Sequence, residues 1–294
     1  MDGILIIDKP TDWTSHDVVG KLRKILKTKR IGHTGTLDPF ATGVLVMLVG
    51  QATRLAQFLD KDAKEYEAVV QLGFETDTGD LTGERRDGEM ARQGDSVMES
   101  EIEQVLESFR GQIEQIPPMY SAKKVDGKKL YELARKGIEI ERKAVAVTIY
   151  ELELLEEIPN PKSQIRIRVL CTAGTYIRTL AEDIGRKLGT GAHLTALRRT
   201  RAGNFDLTKA VSIEQLQEIV LAEKLDDYLI PMNQAVSHLP EVKLSDEEVK
   251  KIRNGMKLPS NLNAELVRLT DSENNLIAIG SAHENFIRPK IVFV

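Results

Sequence analysis

Gly32-His33-Thr34-Gly35-Thr36-Leu37-Asp38-Pro39-Phe40-Ala41-Thr42-Gly43 is the stretch on which the reading of this 294-residue chain turns. Its three glycines admit positive φ, and Pro39 fixes its own φ while pushing Asp38 toward an extended backbone. Neither a helix nor a central strand accommodates that mixture, so the whole stretch reads as a rigid surface loop. Leu37 and Phe40 anchor it, and His33 and Asp38 are the polar side chains it presents. An aspartate in such a loop commonly bonds its own backbone. The alternative is that the loop exists to present Asp38.

Composition sets the bounds. Apolar content of 41% and charged content of 29% are those of an ordinary globular protein, long enough for one large domain and one small one. A net charge of −4 gives no global basic signature. Locally, Lys21, Arg23, Lys24, Lys27, Lys29 and Arg30 form a run without acids just ahead of the loop, either a solvated helix face or a patch facing phosphates. Cys171 is the single cysteine, which excludes an internal disulfide and a thiolate cluster. The five histidines show no ligand spacing, so no metal is expected. Gly3 to Ile7 is too short for a signal peptide or membrane span, and a cytoplasmic protein is expected.

Periodicity organises the rest. Gly3–Ile7 reads as a buried strand, and Thr14 with Asp17 reads as a capping box opening a helix through Leu26. Val44–Val49 and Lys64–Phe74 read as strands, the latter with Tyr66 near its start, and Thr53–Leu59 as a short helix. Residues 75–98 read as an extended connection, whose Asp and Thr residues lack the spacing of a calcium loop. A helix is expected from Ser100 to Phe109, a turn at Pro159-Asn160-Pro161, and a period-two strand at Gln164–Cys171. From Thr175 a helix runs to Gly189, with Arg178 in its first turn. Ser212 and Ser245 open two more helices, and Leu266–Leu269 with Leu276–Ile279 form a hairpin around Asp271–Asn275.

The twelve-residue loop closely resembles the GHTGxLDPxATG signature of the bacterial TruB-type tRNA pseudouridine synthases. Three further stretches resemble that family: Lys64–Ala68, with its KxYxA context, Gln115–Gly137, and Thr172–Ala181. Thr36 and Phe40 fall at variable places in the signature. The resemblance implies a mixed α/β fold, with a largely antiparallel central sheet flanked by helices in residues 1–235 and a β-rich, PUA-like domain in 236–294. Residues 113–143, with basic residues interleaved with Tyr120 and Tyr131, resemble an arm that clasps RNA and orders on binding it.

What the resemblance implies for function is isomerisation of uridine-55 in the T loop of tRNA, by a monomer needing neither metal, organic cofactor nor guide RNA. Asp38 is then the catalytic carboxylate, as nucleophile or as the base that starts glycal formation. Arg178 holds it ionised, and Tyr66 lies against the flipped base and moves a proton. Leu197 resembles the apolar floor of the pocket, His33 the residue filling the space left by the flipped nucleotide, and Tyr176 a support of the pocket wall. Lys9, from the Lys9-Pro10 motif, joins the substrate-binding set as a support behind the site. A non-catalytic RNA-binding or tRNA-folding protein, or an enzyme acting on free nucleosides, are the competing classes.

Overall fold

The computed structural model describes residues 1–86, 97–121, 123–125, 127–157 and 163–293. The turn expected at 159–161, Asp87-Gly88 of the connection, Ala122 and Asp126 of the arm, and the side chains of Lys124 and Lys129 lie outside the described residues.

Among the described residues, eleven strands precede the C-terminal region: β1 (Gly3–Lys9), β2 (Ile31–Thr34), β3 (Thr42–Val49), β4 (Lys64–Leu72), β5 (Gly111–Gln115), β6 (Lys124–Val125), β7 (Lys128–Lys129), β8 (Val145–Glu157), β9 (Gln164–Cys171), β10 (Ala192–Ala202) and β11 (Phe205–Asp206). Nine of these form one sheet in the order β1-β3-β10-β4-β9-β8-β5, with β2 beside β3 and β11 beside β10. Every pairing in it is antiparallel except β3 with β10. β6 and β7 make a separate small hairpin.

The helices are α1 (Ser15–Ile25), α2 (Ala56–Leu59), α3 (Glu99–Glu107), α4 (Leu130–Ala134), α5 (Ile177–Leu188), α6 (Ile213–Leu221), α7 (Met232–Ala235) and α8 (Asp246–Arg253). The boxes expected at Thr14, Ser212 and Ser245 cap α1, α6 and α8, and Gly189 closes α5 in the left-handed region. Thr53–Leu59 is split: Gly50–Leu55 is a 3-10 helix, and only α2 is α-helical.

Burial alternates along β4 and β9, because one face meets α3 and α5 while the other carries ion pairs such as Arg166–Glu67 at 2.6 Å and Arg168–Glu65 at 3.2 Å. β1 and β3 are covered on both faces, which explains their continuous apolar runs. Leu5, Ile7, Leu45 and Met47 pack under α1 and α6, whereas Ile4, Ile6, Val44 and Val46 meet Leu276, Ile279 and Phe293 of the C-terminal region.

That region is a five-stranded sheet in the order β12 (Glu241–Lys243), β14 (Ala264–Thr270), β15 (Leu276–His283), β16 (Phe286–Val292), β13 (Leu258–Pro259), covered by α8. The hairpin around Asp271 is β14–β15. Asn233 joins α7 to this sheet: its Oδ1 accepts from Arg268 at 2.6 Å, and its Nδ2 donates to Asn274 at 2.9 Å.

Two further expectations need correction. Gly32–Gly43 is not loop throughout: its ends belong to β2 and β3, leaving Gly35–Ala41 between them. Glycine is required at 43, where φ is +99° and a Cβ would lie 2.2 Å from the Arg199 carbonyl of the parallel neighbour β10. Second, the start of the supposed extended connection is a folded turn. Thr76 bridges Arg85, Asp80 bridges Leu194, and Asp80 is buried.

Candidate active site

Asp38 is set by pins on its two neighbours. Ser15, buried at the start of α1, accepts from the Leu37 amide at 2.9 Å and donates to the Leu37 carbonyl at 3.3 Å. On the other side the Lys9 ammonium donates to Pro39 O at 3.0 Å, and also to the carbonyls of Pro10 (2.8 Å) and Trp13 (2.6 Å). Burial lowers Lys9 to about 8, opposed by Asp38 and Asp12. With no exposed surface and all three bonds spent on main chain, Lys9 holds the loop from behind and does not line the cleft.

Arg178 arrives in the first turn of α5. It grips Asp38 side-on, Nε to Oδ2 at 2.9 Å and Nη2 to Oδ1 at 3.0 Å. Nη1 donates to Thr78 O at 3.0 Å, Nη2 also donates to Tyr120 O at 2.7 Å, and Asp80 lies 3.6 Å from Nη1. Asp80 is itself fixed, its Oδ1 accepting from the Thr78 hydroxyl and the Thr82 amide, both at 2.9 Å. The Arg178 side chain is 6% exposed and that of Asp38 32%, so the carboxylate is open on one side only. Desolvation pushes Asp38 above the usual carboxylate range; Arg178 opposes that, and Asp80 adds to it.

The open side faces a cleft of about 290 Å³ lined by Tyr66, Leu197, Arg199, Tyr176, Lys64 and Lys123, among others. Tyr66 and Arg199 face each other in register on β4 and β10, and Leu197 lies two residues before Arg199 on the same face. Burial raises the Tyr66 hydroxyl, while the Arg199 guanidinium beside it pulls the other way. Tyr176 borders the cleft from the N-cap of α5, its main chain clamped by Gln115: the Tyr176 amide donates to Oε1 at 2.9 Å, and Nε2 donates to the Tyr176 carbonyl at 3.2 Å. His33 stands apart. It lines an adjoining cavity of about 340 Å³ with Thr36, Gln57 and Asp60, and its buried Nδ1 has no partner among the described residues.

The structure thus gathers Asp38, Arg178, Tyr66, Leu197 and Tyr176 at one cleft, and sets Lys9 behind it and His33 beside it. The sequence alone assigns no role to Asp80 or Arg199. The available signal for Arg199 was its period-two spacing from Leu197. Asp80 offered none, because its partner is 98 positions away.

The fold class is that of the pseudouridine synthases. Residues 23–177 match the model of the TruB family pseudouridylate synthase N-terminal domain, 178–237 that of the tRNA pseudouridylate synthase B C-terminal domain, and 240–293 the pseudouridine synthase II TruB C-terminal model. The chain belongs to the TruB family. It is 45% identical over 288 residues to tRNA pseudouridine synthase B of Bacillus cytotoxicus, covering 96% of this chain and 93% of that one. With the enzyme of the same name from Geobacillus thermodenitrificans it shares 47% identity over 265 residues, 88% and 87% of the two chains. A chain in the crystal structure of a Cbf5-Nop10-Gar1 complex matches with a TM-score of 0.76 and 30% identity over 99% of this chain and 85% of that one.

Proposed function

We propose that this chain is a tRNA pseudouridine synthase that isomerises uridine-55 of the T loop. The observation that carries the reading is the ionisable Asp38, held bidentately by Arg178 at the bottom of a cleft that also presents Tyr66 and Leu197. Isomerisation breaks the N1–C1′ bond, turns the uracil and rejoins it through C5. Atoms balance within the nucleotide, so no cofactor is called for.

A carboxylate in so enclosed a place protonates unless a cation faces it, and guanidinium keeps its charge in any surroundings. Asp38 then acts as nucleophile; starting a glycal as base would make the same demand for an ionised oxygen near C1′. The target uridine must leave its stack to reach that depth. Tyr66 offers it an aromatic face, and Leu197 and Tyr176 wall the pocket. Residues 113–143 close over the RNA from the end at which the Tyr120 carbonyl meets Arg178. His33 fills the space that the flipped nucleotide leaves.

On this reading residues 1–235 are the catalytic domain and 236–294 a PUA-like RNA-binding domain, in a monomer that works in the cytoplasm without a guide RNA. Among the described residues, no helix is long and apolar enough to cross a membrane. The test is incubation of T-arm RNA with wild type and Asp38→Asn, scoring pseudouridine. Product from wild type alone is expected; equal product from both removes Asp38 from the chemistry, and none from either leaves an RNA binder.

A further inference from the structure

Among the described residues lining the cleft, Arg199 is fully buried. Its Nε donates to Val44 O at 2.7 Å and its Nη2 to Gly35 O at 2.9 Å. Nη1 is buried with no well-aligned acceptor among the described residues, although the Tyr66 hydroxyl stands beside the guanidinium. A desolvated cation bonded only to main-chain carbonyls is costly to keep for packing alone. It cannot touch RNA, so any effect on the reaction passes through a neighbour.

We infer that Arg199 is a positioning residue that directs Tyr66, with Nη1 assigned to the phenolic oxygen. A guanidinium only donates, so the Tyr66 oxygen must accept from it, and the phenol's own proton turns toward the cleft. This rests on the isomerisation proposed above. Once C5 has joined C1′, the C5–H bond breaks and N1 gains a proton. Tyr66 gives its proton to N1 and takes the one from C5, ending as it began. Between the two transfers its oxygen carries negative charge, which the adjacent guanidinium stabilises without reorganisation.

The experiment measures single-turnover rates and RNA affinity on a T-arm RNA for wild type, Arg199→Lys, Arg199→Met, Tyr66→Phe and the double variants. Wild-type product tests the isomerisation reading by itself. With that in hand, Arg199→Met is expected to slow the chemical step by roughly 10²-fold at unchanged affinity. Arg199→Lys recovers part of the loss, and neither change slows Tyr66→Phe further. Losses that multiply in the double variants, or an effect on affinity alone, overturn the inference. Should Arg199→Met fail to melt cooperatively, the lysine variant in both backgrounds makes the same comparison. Should Tyr66→Phe fall below detection, an ultraviolet difference titration decides. Relative to a Tyr66→Phe blank, the Tyr66 phenol is expected to ionise at higher pH when Arg199 is replaced by Met or Lys, and an unmoved midpoint overturns the assignment.

Discussion

Arg178 meets the Asp38 carboxylate edge to edge, two nitrogens on two oxygens at 2.9 and 3.0 Å, across 140 residues of sequence. Parallel bonds of that kind fix orientation as well as charge, and lysine cannot make them.

Removing the guanidinium strands two carboxylates, Asp38 and Asp80, and two carbonyls. Arg178→Ala is expected to lower stability by on the order of 3–5 kcal/mol, the cost of breaking a buried pair. Arg178→Lys should fold yet lose most activity. Urea unfolding and a pseudouridine assay check both; a change in stability under about 1 kcal/mol would mean the pair is merely a surface contact.

Acid should silence the enzyme early. Asp38 is held above the ordinary carboxylate range, and on the proposed mechanism only its ionised form attacks, so turnover is expected to fall as pH drops through that raised value rather than near 4. Asp80 is one cause of the rise. Asp80→Asn should therefore shift the acid limb of kcat/KM to lower pH, and a limb that stays put removes Asp80 from the electrostatics.

Lys9 makes the opposite kind of prediction. Its folded pKa of about 8 lies below the unfolded value, so between roughly pH 8 and 10.4 the unfolded chain binds the extra proton and stability rises with pH. The difference between wild type and Lys9→Met should thus grow across that window by on the order of 3 kcal/mol. Urea midpoints at stepped pH measure it, and a flat difference contradicts the burial.

Gly43 and Gly111 separate backbone strain from collision. Both have positive φ, +99° and +90°, but only at 43 would a Cβ strike a neighbouring strand. Gly111→Ala should cost about 1–2 kcal/mol, the left-handed penalty alone. Gly43→Ala should prevent recovery of folded protein, and similar melting of the two variants would refute the contrast.

RNA affinity should fall steeply with salt. Lys24 and Lys27 are exposed on and just after the last turn of α1, ahead of β2. If they face phosphates, replacing either by alanine lowers the slope of log affinity against log salt by about 0.7–0.9, whereas an unchanged slope makes them ordinary solvated lysines.

Where the determinants are local, the sequence was legible. Thr14 and Asp17 bond each other because capping needs only three residues of separation, and Gly189 closes α5 for the same reason. The alternation of Gln164–Cys171 foretold which face of β9 is buried. Illegible were features created by chains meeting from afar. Gly32 and Gly43 look like loop residues until β3 pairs with its neighbours. Thr76–Asp80 looks like solvent-exposed linker until α5 supplies Arg178. Arg199 keeps its period-two spacing from Leu197, but nothing local marks an arginine as buried until β10 pairs with β3 and β4.

The bond from Arg178 to the Tyr120 carbonyl carries a consequence for how such an enzyme diversifies. On the proposed function, the guanidinium that grips the Asp38 carboxylate also bonds the main chain of the segment proposed to clasp RNA, so substrate range and turnover would share one mechanical joint. A lineage can reshape the outer part of that segment toward new RNAs freely, but a shift of its backbone at residue 120 would be felt at once as slower chemistry.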